Sequence, residues 1–139
     1  MPSGPLTIAQ VTPYTWGSHA AANRFVARTA DALADRGHRV LIAAPGGGRA
    51  ARASARAVKA AREDDRALFG SKWNGKRTKP DGPPVVAIGQ GIPMPKGPKP
   101  QAAPFPLDVA GTLAELLTAV PFDVVHVHDP FAPSAASAA

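Results

Sequence analysis

Apolar positions along this chain fall into short, nearly continuous runs separated by stretches of helical period. Leu6–Val11 and Arg39–Ala44 read as strands whose two faces are both covered, the first ended by Thr12-Pro13 and the second by Pro45-Gly-Gly-Gly48. Between them, residues 20–36 carry Phe25, Val26, Ala30, Leu33 and Ala34 at helical spacing. Gly37 then offers the left-handed residue that stops a helix. Strand, helix and strand make a βαβ unit.

Residues 49–69 are rich in Ala and Arg and predict one helix, with Arg52, Arg56, Lys59, Arg62 and Arg66 recurring every three or four positions as a stripe. Residues 70–84, dense in Gly, Lys and Pro, predict a loop, and Val85–Ile88 a short third strand. Eight prolines and glycines in the stretch from Gln90 through Pro106 exclude a helix there and predict an extended surface loop. Helical period returns over Leu107–Val120 through Val109, Leu113, Leu116 and Leu117. Phe122–His128 follows as a last strand, buried through Phe122, Val124, Val125 and Val127, and Ser134 suits the cap of a further helix. Strands alternating with helices predict an α/β fold with a doubly wound parallel sheet.

A length of 139 residues is about one domain, and 45% hydrophobic residues allow a modest core. No apolar run approaches the ~20 residues of a membrane-spanning helix. The N-terminus lacks the basic and apolar regions of a secretory signal. Absent cysteine excludes disulfides and thiolate metal sites and fits a cytoplasmic location. The net charge of +6 is unevenly spread: residues 49–79 hold ten Lys/Arg against three acids, and the rest six against seven. The basic excess therefore belongs to one stretch, about residues 49–80. Its stripe is either a solvated helical face or a binding module for an anionic partner, membrane (peripheral at the inner face) or nucleic acid. Nucleic acid is disfavoured, because only Phe69 and Trp73 border the stripe as stacking groups.

Candidate chemistry gathers at strand ends. In an open α/β sheet the turn leaving the first strand faces the ligand crevice, which singles out Trp16, Gly17 and Ser18. The absence of G-x-G-x-x-G removes the main support for a dinucleotide enzyme. His126 and His128, two apart on a strand, share a face. His126 reads as a hydrogen-bonded core residue or a substrate contact. His128, nearer the tip, reads as the group that meets substrate, with Asp129 to orient it or to accept a hydroxyl. His-x-His also begins some metal sites, but His19 and His38 lie elsewhere, so no metal is expected.

Val11-Thr-Pro-Tyr14, Val26 through Arg36-Gly-His-Arg-Val40, Gly89 with Ile92-Pro-Met-Pro95, and Phe122-Asp-Val-Val-His-Val-His-Asp-Pro130 with Ala132-Pro-Ser134 occur in that order. So ordered, they resemble the N-terminal domain of family 4 retaining glycosyltransferases, which have the GT-B fold of two Rossmann-like domains. Phosphatidylinositol mannosyltransferase-like enzymes look most similar. The resemblance implies transfer of a hexose from a nucleotide-sugar to a sugar or lipid-linked acceptor, with no tightly bound cofactor. It implies that His128 lies beside the reacting sugar, that Trp16, Gly17 and Ser18 approach the donor phosphates, and that Lys96 contacts acceptor. Residues 1–139 would then be part of the acceptor-side domain, carrying a basic insertion at about 49–80. The C-terminal donor-binding domain with its E-x7-E motif is not among them, so no turnover is expected from these residues alone.

Overall fold

The computed structural model describes residues 4–17, 21–46, 48–89 and 106–128. Its elements are β1 (Thr7–Val11), α1 (Ala21–Asp35), β2 (Arg39–Pro45), α2 (Gly48–Ala61), α3 (Arg66–Phe69), β3 (Val85–Ile88), α4 (Pro106–Ala119) and β4 (Val124–Val127). All four strands are parallel, in the order β3-β2-β1-β4.

Side chains alternate across the sheet, so each face needs its own cover. Ile8, Val40, Ile42, Ala44 and Val85 pack with Val26 and Ala30 of α1 on one face. On the other, Ala9, Val11, Leu41, Ala43, Val86 and Ile88 pack with Val58 and Ala61 of α2, Leu68 of α3, and Leu113 and Leu116 of α4. Helices on both faces make the sheet doubly wound. Each fully buried Leu or Ile contributes roughly 1.5–3 kcal/mol relative to leaving it in water. Gly37, at φ 95°, turns the chain out of α1, and the Gly37 and His38 amides return to the Ala34 and Leu33 carbonyls.

Three expectations need correction. The Ala/Arg-rich stretch is two helices, because Asp64 Oδ1 accepts from the Arg66 amide and restarts the chain as α3. Arg66 and Lys72 also close on Asp64 and hold its carboxyl well below the usual carboxylate range. Phe25 is 61% exposed, since the inward line of α1 is Asn23, Val26 and Ala30. Val124 and Val125 are each 41% exposed: β4 pairs with β1 alone among the described strands, and α1 lies over β2 rather than over β4.

The basic stretch is amphipathic. Val58, Ala61, Leu68 and Trp73 are core residues, while Arg49, Arg52, Arg56, Lys59 and Arg62 face solvent. The following loop is tied together by Arg77, whose guanidinium donates to the carbonyls of Gly70, Trp73 and Gly82, and Thr78 Oγ1 bonds Asp31 Oδ1 of α1 at 2.5 Å. This packing also finishes the outer edge of β3. The amides of Val85, Ala87 and Gly89 donate to Lys76 O, Ser54 Oγ and Thr112 Oγ1 at 2.9, 2.9 and 2.6 Å. An edge so occupied cannot template another strand.

Candidate functional site

The C-terminal rim of the sheet is formed where β1 and β4 end side by side. The His128 amide donates to Val11 O at 2.8 Å, and the Thr12 amide to Ala43 O at 3.0 Å, so the ladder runs one residue past each strand. In that register Gln10 stands opposite His126, on the face that α1 covers. His128, two residues on, shares this face.

His128 is 7% exposed. Its Nε2 lies 2.5 Å from Gln10 Oε1, and the Phe25 ring meets it edge-on with centroids 5.8 Å apart. The His126 ring stacks over it at 4.0 Å, tilted by 30°. Burial, and then the neighbouring His126, pull its pKa down to about 4. The imidazole is therefore neutral at physiological pH. Because Gln10 Oε1 accepts, Nε2 carries the ring proton and Nδ1 keeps a lone pair. His126 itself is exposed, which corrects its reading as a core residue.

Across the β1 tip from His128 is the turn that enters α1. Trp16 is half-buried against the cluster under α1, and Gly17 has φ 93°, a conformation that favours glycine. Asn23, in the first turns of α1, holds this turn in place. Thr12 Oγ1 donates to Asn23 Oδ1 at 2.6 Å, and Asn23 Nδ2 donates to Tyr14 O and Thr15 O at 3.2 and 3.0 Å. The Tyr14 amide completes the ring of bonds by donating to Thr12 Oγ1 at 3.3 Å. Ser18, Lys96 and Asp129 lie outside the described residues.

A cleft of about 270 Å³ opens on the other flank of this turn, over the ends of β2 and β3. Trp16, Trp73, Pro45, Ala53 and Lys76 are among its walls. His128 does not line it, so cleft and imidazole are separate features sharing the β1–α1 turn.

Gln10, Thr12 and Asn23 escape a reading based on apolar periods. For Gln10 and Asn23 a signal is nonetheless present: each is a polar residue at a position where the period demands an apolar one, and such residues are buried only with partners. His38 lies at the opposite rim, its Nδ1 accepting from the Leu6 amide at 3.0 Å. Among the described residues no group of three or more His, Asp or Glu comes together as metal ligands, and no helix is long and apolar enough to cross a membrane.

The family model described as Glycosyltransferase Family 4 matches residues 22–139, a span running from α1 through the basic stretch to β4 and beyond. No curated protein and no solved structure gives a significant match to the chain.

Proposed function

Since the chain belongs to glycosyltransferase family 4, we propose that it forms the N-terminal, acceptor-side module of a GT-B enzyme that moves a hexose from a nucleotide-sugar to a sugar or lipid-linked acceptor, keeping the anomeric configuration. The observation that carries this reading is the neutral imidazole of His128 at the strand rim, beside the β1–α1 turn. Glycosyl transfer passes through an oxocarbenium-like transition state, which a nearby positive charge would disfavour. A neutral ring with its Nε2 proton committed to Gln10 offers Nδ1 to a sugar hydroxyl and adds no such charge.

Around that hydroxyl the remaining roles follow. The turn at Trp16, Gly17 and Ser18 brings backbone amides to the donor diphosphate, with Gly17 permitting close approach. His126 and Asp129 take neighbouring sugar hydroxyls, and Lys96 meets the acceptor. In the reaction the glycosyl–phosphate bond breaks, the acceptor oxygen bonds to the same face of the anomeric carbon, and its proton leaves with the diphosphate. Both halves of a GT-B enzyme must close on the donor for this, so the 139 residues by themselves bind without turning over.

Two measurements test the proposal on this chain. The His128 ring resonance is expected to move when nucleotide-sugars and simple glycosides are titrated in. A panel of labelled nucleotide-sugars is expected to give no transfer. An unmoved resonance across the panel overturns the site, and clear transfer overturns the requirement for a second half.

A second reading rests on α2. Arg49, Arg52, Arg56, Lys59 and Arg62 are exposed, and none has an ion pair among the described residues. Each such cation contributes on the order of 1 kcal/mol beside an anionic leaflet. We propose peripheral contact at the cytoplasmic face of a membrane. Co-sedimentation with phosphatidylserine vesicles, lost in Arg52→Glu/Arg56→Glu/Lys59→Glu and absent with phosphatidylcholine, is the expected result. Equal sedimentation of wild type and variant sinks the idea.

A further inference from the structure

The cleft beside the β1–α1 turn is built differently from the histidine rim. We propose that it binds a compact ring-bearing body carrying one anionic group; on the transfer reading above, this is the non-sugar part of the acceptor.

Both tryptophans of the chain line the cleft. Trp73 is 5% exposed, and its indole N–H is already committed to Lys76 O at 2.8 Å, so what it turns to the cleft is hydrocarbon. Ala44, Ala53 and Val85 extend that apolar wall. Two glycines keep the walls close. A Cβ on Gly46 would stand 2.8 Å from Ala87 Cβ, and one on Gly75 would stand 2.4 Å from the Trp73 ring. The Ser54 hydroxyl oxygen accepts from the Ala87 amide, which ties α2 to β3 beneath the space.

Charge completes the assignment. Among the described residues Lys76, exposed at the margin, has no ion pair and no carboxylate lines the cleft. Its backbone is held at Lys76 O by both the Trp73 indole and the Val85 amide, so the root of this side chain is fixed at the cleft margin, with the opening within reach of its ammonium. Apolar walls with one convergent charge are what a small-molecule site presents. A space of about 270 Å³ suits one fused-ring body and is too small for a whole lipid tail.

The experiment follows the two indole N–H signals of the 15N-labelled 139-residue chain during titration with 2-naphthoate, neutral 2-naphthol, octanoate and inorganic phosphate. With 2-naphthoate both indole signals are expected to shift. Binding of 2-naphthol and octanoate is expected to be at least about tenfold weaker, and phosphate to leave both signals in place. Lys76→Gln brings 2-naphthoate down to the level of 2-naphthol, and Ala53→Phe, which fills the space from an α2 position, abolishes the shift while the amide spectrum stays folded. Unmoved indoles, equal binding of 2-naphthoate to the Lys76→Gln or Ala53→Phe protein, or octanoate binding as tightly as 2-naphthoate each overturn the proposal. The His128 ring resonance reads the transfer site separately, so failure of either proposal is recognised on its own.

Discussion

Gln10 of β1 holds the His128 ring of β4 across two neighbouring parallel strands, with Nε2 and Oε1 2.5 Å apart and both residues buried. A glutamine in the middle of a core strand is costly unless its amide is used. Here it selects the tautomer of a histidine at the C-terminal rim of the sheet. Replacing Gln10 with Leu is expected to leave the sheet intact and to move the His128 ring signals, because Nε2 then has no acceptor; unchanged ring signals would show that the pair is incidental.

The same histidine makes stability depend on pH. Its folded pKa of about 4 lies below the ordinary 6.5, so folding favours the neutral form. The contribution is fully present above about 6.5 and is lost as pH falls through 4. It amounts to on the order of 2 kcal/mol. Thermal unfolding from pH 7 to pH 4 should show this loss, and His128→Gln should flatten the curve over that window.

Asn23 is expected to matter more than its place on a surface helix suggests. Asn23→Ala removes the acceptor of the Thr12 hydroxyl and the donor to two loop carbonyls, and should cost about 1–3 kcal/mol. Amide exchange at Tyr14 and Thr15 should quicken. A double-mutant cycle with Thr12→Val should return a coupling of at least about 0.5 kcal/mol; additivity would mean that the turn is held by something else.

On the edge of β3, Ser54→Ala removes the acceptor for the Ala87 amide. The loss should be about 1 kcal/mol, with faster exchange at Ala87. Leu116→Ala, in the centre of the core, should cost about 2–5 kcal/mol. Denaturant unfolding of the two variants checks the ordering.

Arg39 makes two contacts of different kinds. It pairs with Asp65, and its guanidinium lies 4.5 Å from the centroid of the Phe69 ring, which in turn meets Phe122 edge-on. The ion pair is partly exposed, so Asp65→Asn should change stability by less than about 1 kcal/mol. Phe69→Ala removes both ring contacts and should cost about 1–2 kcal/mol. Equal effects in chemical denaturation would contradict this division.

Period alone recovers much of the architecture. β1, β2, β3, α1 and α4 begin and end within about two residues of where the apolar pattern puts them. What the pattern cannot express is competition. Alanine and arginine favour a helix through Phe69, yet a carboxylate at Asp64 captures the Arg66 amide and breaks it. The Gly- and Pro-rich stretch after α3 reads as plain loop, yet it buries Trp73 and is bound together by Arg77. Phe25 falls on the margin of the helical stripe, where a period cannot say whether a neighbour will cover it.

At the rim the loop at Trp16-Gly17 and the histidine pair are legible because strand ends carry ligands in such sheets. The support beneath them is not. Gln10 and Asn23 act through partners 118 and 11 residues away in the chain, a separation that only the sheet register and the packing of α1 resolve.

The two flanks of this sheet are not equivalent. With the outward amides of β3 spent on Lys76, Ser54 and Thr112, the sheet can widen only beyond β4, where the valines at 124 and 125 still meet water. His126 is exposed on the same strand, while His128 at its tip is already buried. Any widening of the sheet would thus bear first on the strand that carries both imidazoles.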